Sequence, residues 1–491
     1  MKINKNVEKS IEYIKKLNDN SSDIVDRTID IKNTKVAYIY LESVTSDDKV
    51  SDFLVRNLSN LTKDKKSIFE NIFNTLKNTI YNSHLGIEEN YDKIFYLLAS
   101  GYTCIFVEGY EKCITIETKT TLDRGVVEAT TETVVRGPKD SFTENNSINI
   151  GLIRKRIKDP NLIFNETLVG RRSKTKVTLS YIKDIVDEKK VNNIKKKLEK
   201  IDIDGIIDSG YLRSFIVEKQ RSSFPKLQST ERPDLASTSL LNGKIVILVE
   251  NSPFVLITPS LLVDFIHNPE DNYQKTINAN LTIILRIFSF LLTVITPGLY
   301  IALTTYNPEI IPDKLLISIA IQREGVPFPT AFAVIIMITI FEILRESDIR
   351  IPNAMGAAVS IVGALVLGEA AVSAGIVSPI VIIVIAITSI SGLLFTDIDF
   401  INAIRLWRFI FIFFAMAAGL IGIIIAGLIF TIGLCELEDN GLPYLTPIAP
   451  LYFKEQSNAL IRVPINKSFF RPSYLTKKNQ RRMGDNKWKR N

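Results

Sequence analysis

Four ionisable residues lie inside or at the edge of long apolar stretches, where a charged side chain needs special surroundings. Arg286 and Glu369 fall within predicted membrane helices, and Glu342 and Arg345 end a shorter apolar run. A charge near the centre of a bilayer costs at least about 2.5 to 3.5 kcal/mol, so it needs a partner or water. Glu369 therefore either faces a cation path or forms a structural ion pair with Arg286. Glu342 and Arg345 share one helical face and line either the mouth of such a path or the headgroup layer.

Residues that carry enzymatic or metal chemistry are scarce in this chain. It has three cysteines and two histidines, and none has the spacing of a zinc or redox motif. No phosphate-loop, dinucleotide-binding or hydrolase-elbow motif occurs in residues 1–272. We therefore expect a protein that is not an enzyme, with no catalytic residues, no metal and no cofactor.

Apolar stretches divide the 491 residues into a front region, a membrane block and a tail. A membrane helix needs about 20 apolar residues, at about 1.5 Å each, to cross roughly 30 Å of hydrocarbon. Full spans are predicted over residues 281–305, 354–373, 377–395 and 406–432. Shorter runs that end in charge predict re-entrant or interfacial helices over residues 314–322 and 330–345. Residues 281–446 are thus predicted to be an α-helical multipass transmembrane domain.

Small residues and one proline indicate how the membrane helices pack. Two stripes recur at every fourth position: Gly356, Ser360, Ala364 and Gly368, then Ala418, Gly422 and Ala426. Such stripes let helices approach closely, either within one chain or between subunits. Pro297 interrupts the first span and frees a backbone carbonyl. The resulting kink is either structural or lines a cavity.

The front region alternates between strand and helix patterns. Runs rich in β-branched and aromatic residues predict strands over residues 36–41, 103–108, 113–117, 177–182 and 244–250, and helical spacing occurs over 51–80, 91–98 and 187–200. The lysine-rich stretch 187–200 is interleaved with acidic residues, which favours a solvated helix face. The fold class is therefore an α/β (α+β) cytoplasmic N-terminal region of two subdomains, residues 1–139 and 140–272, ahead of the helical membrane block.

Charge predicts how the chain is oriented. The net charge is +3 over residues 1–280, −5 over 281–450 and +9 over 451–491, and the N-terminus has no signal-peptide pattern. Four spans place both ends on one side, and the basic tail (residues 447–491) puts that side in the cytoplasm. The opposite face would receive residues 306–353 and the loop from Asp397 to Asp399. Arg405 and Arg408, just after this loop, conflict with that orientation.

Polar and proline-rich strings occur in a fixed order along residues 136–472. They are Arg136-Gly137-Pro138, Phe142-Thr143-Glu144, Asn149 to Arg156, Thr230-Glu231-Arg232-Pro233-Asp234, Ser252-Pro253-Phe254, Pro297 to Ala302, Arg323-Glu324, Pro327-Phe328-Pro329, Phe341 to Pro352, Gly363 to Gly368, Pro443-Tyr444 and Arg471-Pro472. This series resembles the A subunits of GerA-type spore germinant receptors (GerAA/GerBA/GerKA-like). Glu250-Asn251 and Asp439-Asn440-Gly441 depart from the family pattern, which leaves the similar SpoVAF-type paralogue as an alternative.

The resemblance implies a role in spore germination. It implies a multipass protein of the spore inner membrane that couples nutrient sensing to cation release, as a homo-oligomeric ring with a transporter-like B subunit and a lipoprotein C subunit. Membrane lipids are expected partners and nucleic acid is not. A secondary transporter is the less favoured alternative, since the two halves of the membrane block show no repeat. A membrane-tethered enzyme lacks motif support.

Overall fold

The front region is mixed α/β and the region after it is helical, which confirms the predicted order of fold classes. This computed structural model describes residues 3–31, 34–56, 72–80, 84–120, 132–217, 222–350, 366–455 and 460–483. Each half of the front region is built on its own antiparallel sheet.

The first sheet has five strands in the order β1-β2-β4-β5-β3. Its strands are β1 (Ile24–Ile31), β2 (Thr34–Leu41), β3 (Leu85–Glu88), β4 (Tyr102–Val107) and β5 (Cys113–Glu117), and its helices are Val7–Leu17, Asp47–Val50, Ser51–Val55, Ile72–Thr79 and Tyr91–Leu98. Asn90 caps the last helix by accepting from the Asp92 amide, which fixes where the helix begins. Ile94 and Leu98, one turn apart, are buried in the core between this helix and the sheet.

The second sheet repeats the strand order of the first. Its strands are β6 (Leu162–Val169), β7 (Thr175–Ile182), β8 (Gln228–Thr230), β9 (Ile245–Val249) and β10 (Val255–Thr258), and its helices are Asn146–Arg156, Glu188–Glu199, Ser209–Ile216, Pro233–Leu241 and Leu262–Ile266. The order β6-β7-β9-β10-β8 follows the same path as the first sheet. The two halves therefore share one topology, a repeat that the sequence did not reveal.

A buried ion pair joins the two subdomains. Arg154 is fully buried and donates to both carboxylate oxygens of Asp23, at 3.0 Å each. Burial alone would raise the pKa of Asp23, but the Arg154 charge and hydrogen bonds outweigh it, and the pKa is lowered. The guanidinium also stacks 4.8 Å from the ring centroid of Phe164. Both carboxylate oxygens of Asp23 accept from Arg154, so the pair joins the two subdomains at one defined contact.

The helical region contains two helices long and apolar enough to cross a membrane among the described residues, Thr276–Thr305 and Ile398–Cys435. Its other helices are Asp313–Arg323, Thr330–Arg350, residues 366–373 and Pro379–Gly392. The run predicted over 377–395 forms only a 14-residue helix, shorter than a full crossing, and the run predicted over 330–345 forms a 21-residue helix. Most of the predicted span 354–373, with Gly356, Ser360 and Ala364, lies outside the described residues.

The helix Ile398–Cys435 folds back on itself. Its backbone is non-helical at Ala418 and at Gly419, where φ is +58°. Trp407 and Phe430 contact edge to face with ring centroids 4.9 Å apart, whereas 23 residues of straight helix would separate them by about 34 Å. The single span predicted over 406–432 is therefore replaced by a hairpin of two arms, residues 398–417 and 420–435.

Close packing of the arms explains the second stripe of small residues. A Cβ added to Gly422 would lie 1.9 Å from the carbonyl oxygen of Phe414, and Ala426 is fully buried. The stripe thus serves packing within the chain. The tight turn needs Gly419, since L side chains rarely adopt its backbone conformation.

The base of the hairpin faces the front region. Asp399 pairs with Arg213, and the ring of Phe265 stacks on Phe400 with centroids 5.4 Å apart. The prediction that places the Asp397–Asp399 loop on the opposite face is therefore wrong. The reason is that helix Pro379–Gly392 runs back toward the front region, from beside Tyr300 to beside Thr293. Arg405, near the base of the hairpin, then lies on the same side as the front region. It no longer conflicts with the expectation that basic residues lie on that side.

The tail packs along the second subdomain. Thr476 donates to the carbonyl of Ile185 at 2.5 Å, and Lys478 pairs with Glu188 at 2.6 Å. Further toward the membrane block, the backbone amide of Arg462 donates to Asn280 at 2.6 Å. The basic tail is thus a strap from the second subdomain to the first membrane helix.

Candidate functional site

An ionic cluster links two helices of the membrane block. Glu342, on helix Thr330–Arg350, pairs with Arg405 and Arg408 of the first hairpin arm. Arg408 is only 3% exposed, so its charge depends on this partner. Arg345 is half-buried one turn along the helix from Glu342. The predicted pair Glu342 and Arg345 therefore belongs to a cluster of one carboxylate and three guanidinium groups.

The cluster lies in the half of the helical bundle nearer the front region. Phe400, five residues before Arg405, stacks on Phe290 of the first membrane helix at 5.8 Å. Trp407, between the two arginines, donates to the hydroxyl of Ser223 in the front region at 3.0 Å. The sequence did not find Arg405 and Arg408 as partners because their contact with Glu342 spans more than 60 residues.

Arg286 has a partner in the front region. Its guanidinium donates to both carboxylate oxygens of Asp271, at 2.6 and 3.0 Å, and to the carbonyl of Ile266 at 3.2 Å. Both partners of this ion pair are buried. The structural pair of Arg286 with Glu369 that the sequence allowed is therefore wrong, because Arg286 lies where the first membrane helix meets the front region.

Glu369 is exposed on the helix of residues 366–373, and its neighbour Gly368 is buried against Ile382. Its role in a cation path stays a prediction. Pro297 is buried within the first membrane helix. Beside it, a Cβ added to Gly298 would lie 3.1 Å from the carbonyl oxygen of Phe411. Helix and hairpin therefore approach closely at the proline.

The strings singled out in the front region meet at the junction with the first membrane helix. Arg232 is almost fully buried and donates to both oxygens of Asp234, at 3.1 and 2.8 Å, and to the carbonyl of Pro138 at 2.9 Å. Tyr273, three residues before the helix begins, donates to Asp234 at 2.6 Å. Gly137, at φ +136°, lies against Tyr273, where an added Cβ would approach the ring to 2.7 Å. We call these five residues the junction cluster.

Glu132 lies next to the junction cluster. No motif in the sequence marks it as a functional residue. Its carboxylate accepts from the hydroxyl of Thr230 and from the amide of Glu231, and its carbonyl accepts from Arg232 at 3.3 Å. Burial raises the pKa of Glu132 to about 7, more than these hydrogen bonds lower it. The junction thus contains a carboxyl group that titrates near neutral pH.

The remaining members of these strings have structural places. The backbone amide of Phe142 donates to the carbonyl of Glu231 at 2.7 Å. The backbone amide of Asn251 donates to the carbonyl of Glu144 at 2.8 Å. Pro233 is the first residue of helix Pro233–Leu241, a position that needs no amide hydrogen. Arg136 lines a shallow pocket beside Lys275. Glu231, Pro233 and Glu144 thus order the backbone around the junction cluster.

A short β-hairpin that follows helix Ile398–Cys435 docks beside the second sheet. Asp439, one of the departures from the family pattern, accepts from the hydroxyl of Thr258 at 3.0 Å and from the amide of Ser260 at 2.8 Å. Burial raises the pKa of Asp439 to about 6. Among the described residues, no group of three or more His, Cys, Asp or Glu side chains is placed to hold a metal.

Comparison with known proteins identifies the family of this chain. The family described as Bacillus/Clostridium GerA spore germination protein matches residues 12–474. The chain belongs to this family.

Full-length relatives agree with this assignment. Spore germination protein KA of Bacillus subtilis is 37% identical over 98% of this chain and 89% of its own length. Spore germination protein GerLA of Bacillus cereus is 35% identical over 91% of this chain and 90% of its own length. The N-terminal domain of the A subunit of the Bacillus megaterium germinant receptor GerK3 is 30% identical and aligns over 53% of this chain and 98% of its own, with a TM-score of 0.43. The junction cluster lies within the residues that the family matches, 12–474.

Proposed function

We propose that this GerA-family protein is the A subunit of a nutrient germinant receptor that couples nutrient sensing to cation release. The observation that carries the proposal is full-length similarity to spore germination proteins. On this proposal it is a multipass protein of the spore inner membrane with both ends in the cytoplasm. Its partners are a transporter-like B subunit, a lipoprotein C subunit and further copies of itself in a channel-like ring. It is not an enzyme.

The coupling follows from how the front region holds the membrane block. The junction cluster and the Arg286–Asp271 pair fix the base of the first membrane helix, and Arg213–Asp399 fixes the base of the hairpin. Glu342 in turn ties helix Thr330–Arg350 to the hairpin. A shift of the second subdomain would therefore move three helices together. Nutrient binding then acts by favouring the open arrangement of the ring.

A substitution in the membrane block tests the cation path. Glu369 is the exposed carboxylate on residues 366–373, and a cation path needs such a group to offset the cost of dehydrating the ion. We expect Glu369→Ala, at unchanged protein level, to slow nutrient-triggered potassium release from spores severalfold. Glu324→Ala, an exposed carboxylate after helix Asp313–Arg323, is the matched control and leaves release unchanged. Normal kinetics in the Glu369 variant would remove Glu369 from the path.

The alternative is a SpoVAF-type paralogue, which shares the architecture. The departures at Asn251 and Asp439 motivate it, although both positions fit the fold here: Asn251 takes a positive φ of +66°, and Asp439 is hydrogen-bonded. Neighbouring genes for a transporter-like protein and a lipoprotein favour the receptor subunit. Their absence, with copurification of a different set of membrane proteins, favours the paralogue.

A further inference from the structure

The tail forms one wall of a cavity beside the second subdomain, and both polar and apolar side chains line this cavity. The cavity has a volume of about 220 Å³ and lies between helix Pro233–Leu241, residues 261–272 and the tail. Lys244 is in its wall and 4% exposed, Arg462 forms one side, and the exposed Arg482 stands at the rim. A bridge between Phe470 and Arg481 closes the tail loop that holds Arg482 in place.

Among the described residues that line this cavity, the cationic side chains outnumber the carboxylates that are free of a cationic partner. Asp264 pairs with Lys244 at 2.5 Å, and Asp271 is the partner of Arg286. The guanidinium of Arg462 donates only to backbone carbonyls in the described contacts, among them Asn272 at 2.9 Å and Gln274 at 3.1 Å. Two carboxylates in the wall are thus already paired with cations.

Arg482, like Arg462, donates to an uncharged oxygen. Its side chain donates to the amide oxygen of Asn242, which carries no charge. Neutral oxygens satisfy the geometry of a guanidinium group but leave its charge uncompensated. The cavity therefore keeps the positive charge of Arg482, whereas the charge of Arg462 is offset only in part by Asp271, which already pairs with Arg286.

We propose that this cavity binds a phosphate group. Guanidinium forks match phosphate oxygens, and the polar residues Thr238, Ser239 and Ser468 also line the space. A volume of 220 Å³ corresponds to about seven water molecules at roughly 30 Å³ each, enough for a phosphate and a short ester chain. Arg462 also contacts Asn280 in the first turns of the first membrane helix, so the phosphate can belong to a soluble ester or to a lipid headgroup.

Binding would connect the tail to the junction. The phosphate would bridge Arg482 of the tail and Lys244 of the second subdomain, beside the Asp271–Arg286 pair. The bound form therefore holds the tail strap more firmly against the base of the first membrane helix.

The test uses the full-length protein in detergent at constant ionic strength. One arm of the experiment titrates inorganic phosphate and glycerol phosphate, with chloride as the control anion. The other arm adds phosphatidylglycerol, with phosphatidylcholine as the control lipid. The thermal unfolding midpoint is measured in both. We expect a saturable rise in at least one arm, and Arg482→Ala to weaken the apparent affinity at least tenfold. The matched control is Lys477→Ala, because Lys477 is an exposed tail residue outside the cavity. This control should change the apparent affinity less than twofold.

Either source of phosphate supports the site, and the arms tell them apart. A response to the soluble probes assigns a free phosphate ester, and a response to phosphatidylglycerol alone assigns a lipid headgroup. The proposal is overturned if neither arm raises the midpoint. It is also overturned if Arg482→Ala and Lys477→Ala lose affinity equally, because that result reports general charge screening.

Discussion

Among single residues, Glu132 gives the front region a dependence on pH. Its carboxyl group is buried under the junction cluster, and its pKa is raised from 4.5 to about 7. Folding then favours the protonated form, so the folded protein binds more protons than the unfolded chain between about pH 4.5 and 7. Stability is therefore complete below that window and is lost as the pH rises through it.

Glu132→Gln should remove this pH dependence, since the amide oxygen can still accept from Thr230 and Glu231. Each pKa unit corresponds to about 1.4 kcal/mol, so a rise from 4.5 to about 7 should give the variant on the order of 3 kcal/mol over the parent at pH 8. The two proteins should differ least near pH 5. Thermal unfolding midpoints of the full-length protein across pH 5 to 8 measure this, with the exposed Glu199→Gln as control. Parallel pH profiles of parent and Glu132→Gln would contradict the account.

The residues of the junction cluster could be found from the sequence, but their partners could not. Strings such as Arg232-Pro233-Asp234 stand out because they are polar and proline-rich within a folded region. Tyr273 and Glu132 lie 39 and about 100 residues away from their partners and have no local pattern. Asp23 likewise meets Arg154 across 131 residues. Tertiary packing alone brings such pairs together.

At the level of elements, strands and short helices follow from local patterns, whereas the course of the membrane block does not. Hydropathy finds apolar stretches but does not tell a straight span from a hairpin. The stretch from Arg408 to Cys435 is apolar apart from its first residue, and the reversal is visible only in the structure, at the non-helical backbone of Ala418 and Gly419. The same limit explains why the apolar pattern predicts the wrong face for the Asp397–Asp399 loop.

The hairpin predicts a difference between two glycines of one arm. Gly422→Ala would push a methyl group into the carbonyl oxygen of Phe414 and should cost about 1 to 3 kcal/mol. Gly427→Ala meets no atom within 4 Å and should be neutral or slightly stabilising. Thermal unfolding of the full-length protein in detergent compares them. Equal midpoints for the two variants would argue for a straight helix.

For the whole molecule, the structure unites two similar subdomains, a helical block and a tail through a few buried ion pairs. Arg154–Asp23 joins the subdomains, Arg286–Asp271 joins the front region to the first membrane helix, and Glu342 joins two helices. Buried pairs are costly to break, so motion at one end is transmitted as displacement of whole units. The proposed coupling role predicts such connections between the front region and the helical block.

Nutrient-triggered potassium release from spores tests the central claim most directly. The spores should carry this protein as their single germinant-receptor A subunit, together with its neighbouring B and C subunits, and be exposed to a complex nutrient mixture. We expect rapid release when the protein is present and none when its gene is deleted, with release restored on complementation. Undiminished release from the deletion spores would contradict the assignment as a receptor A subunit.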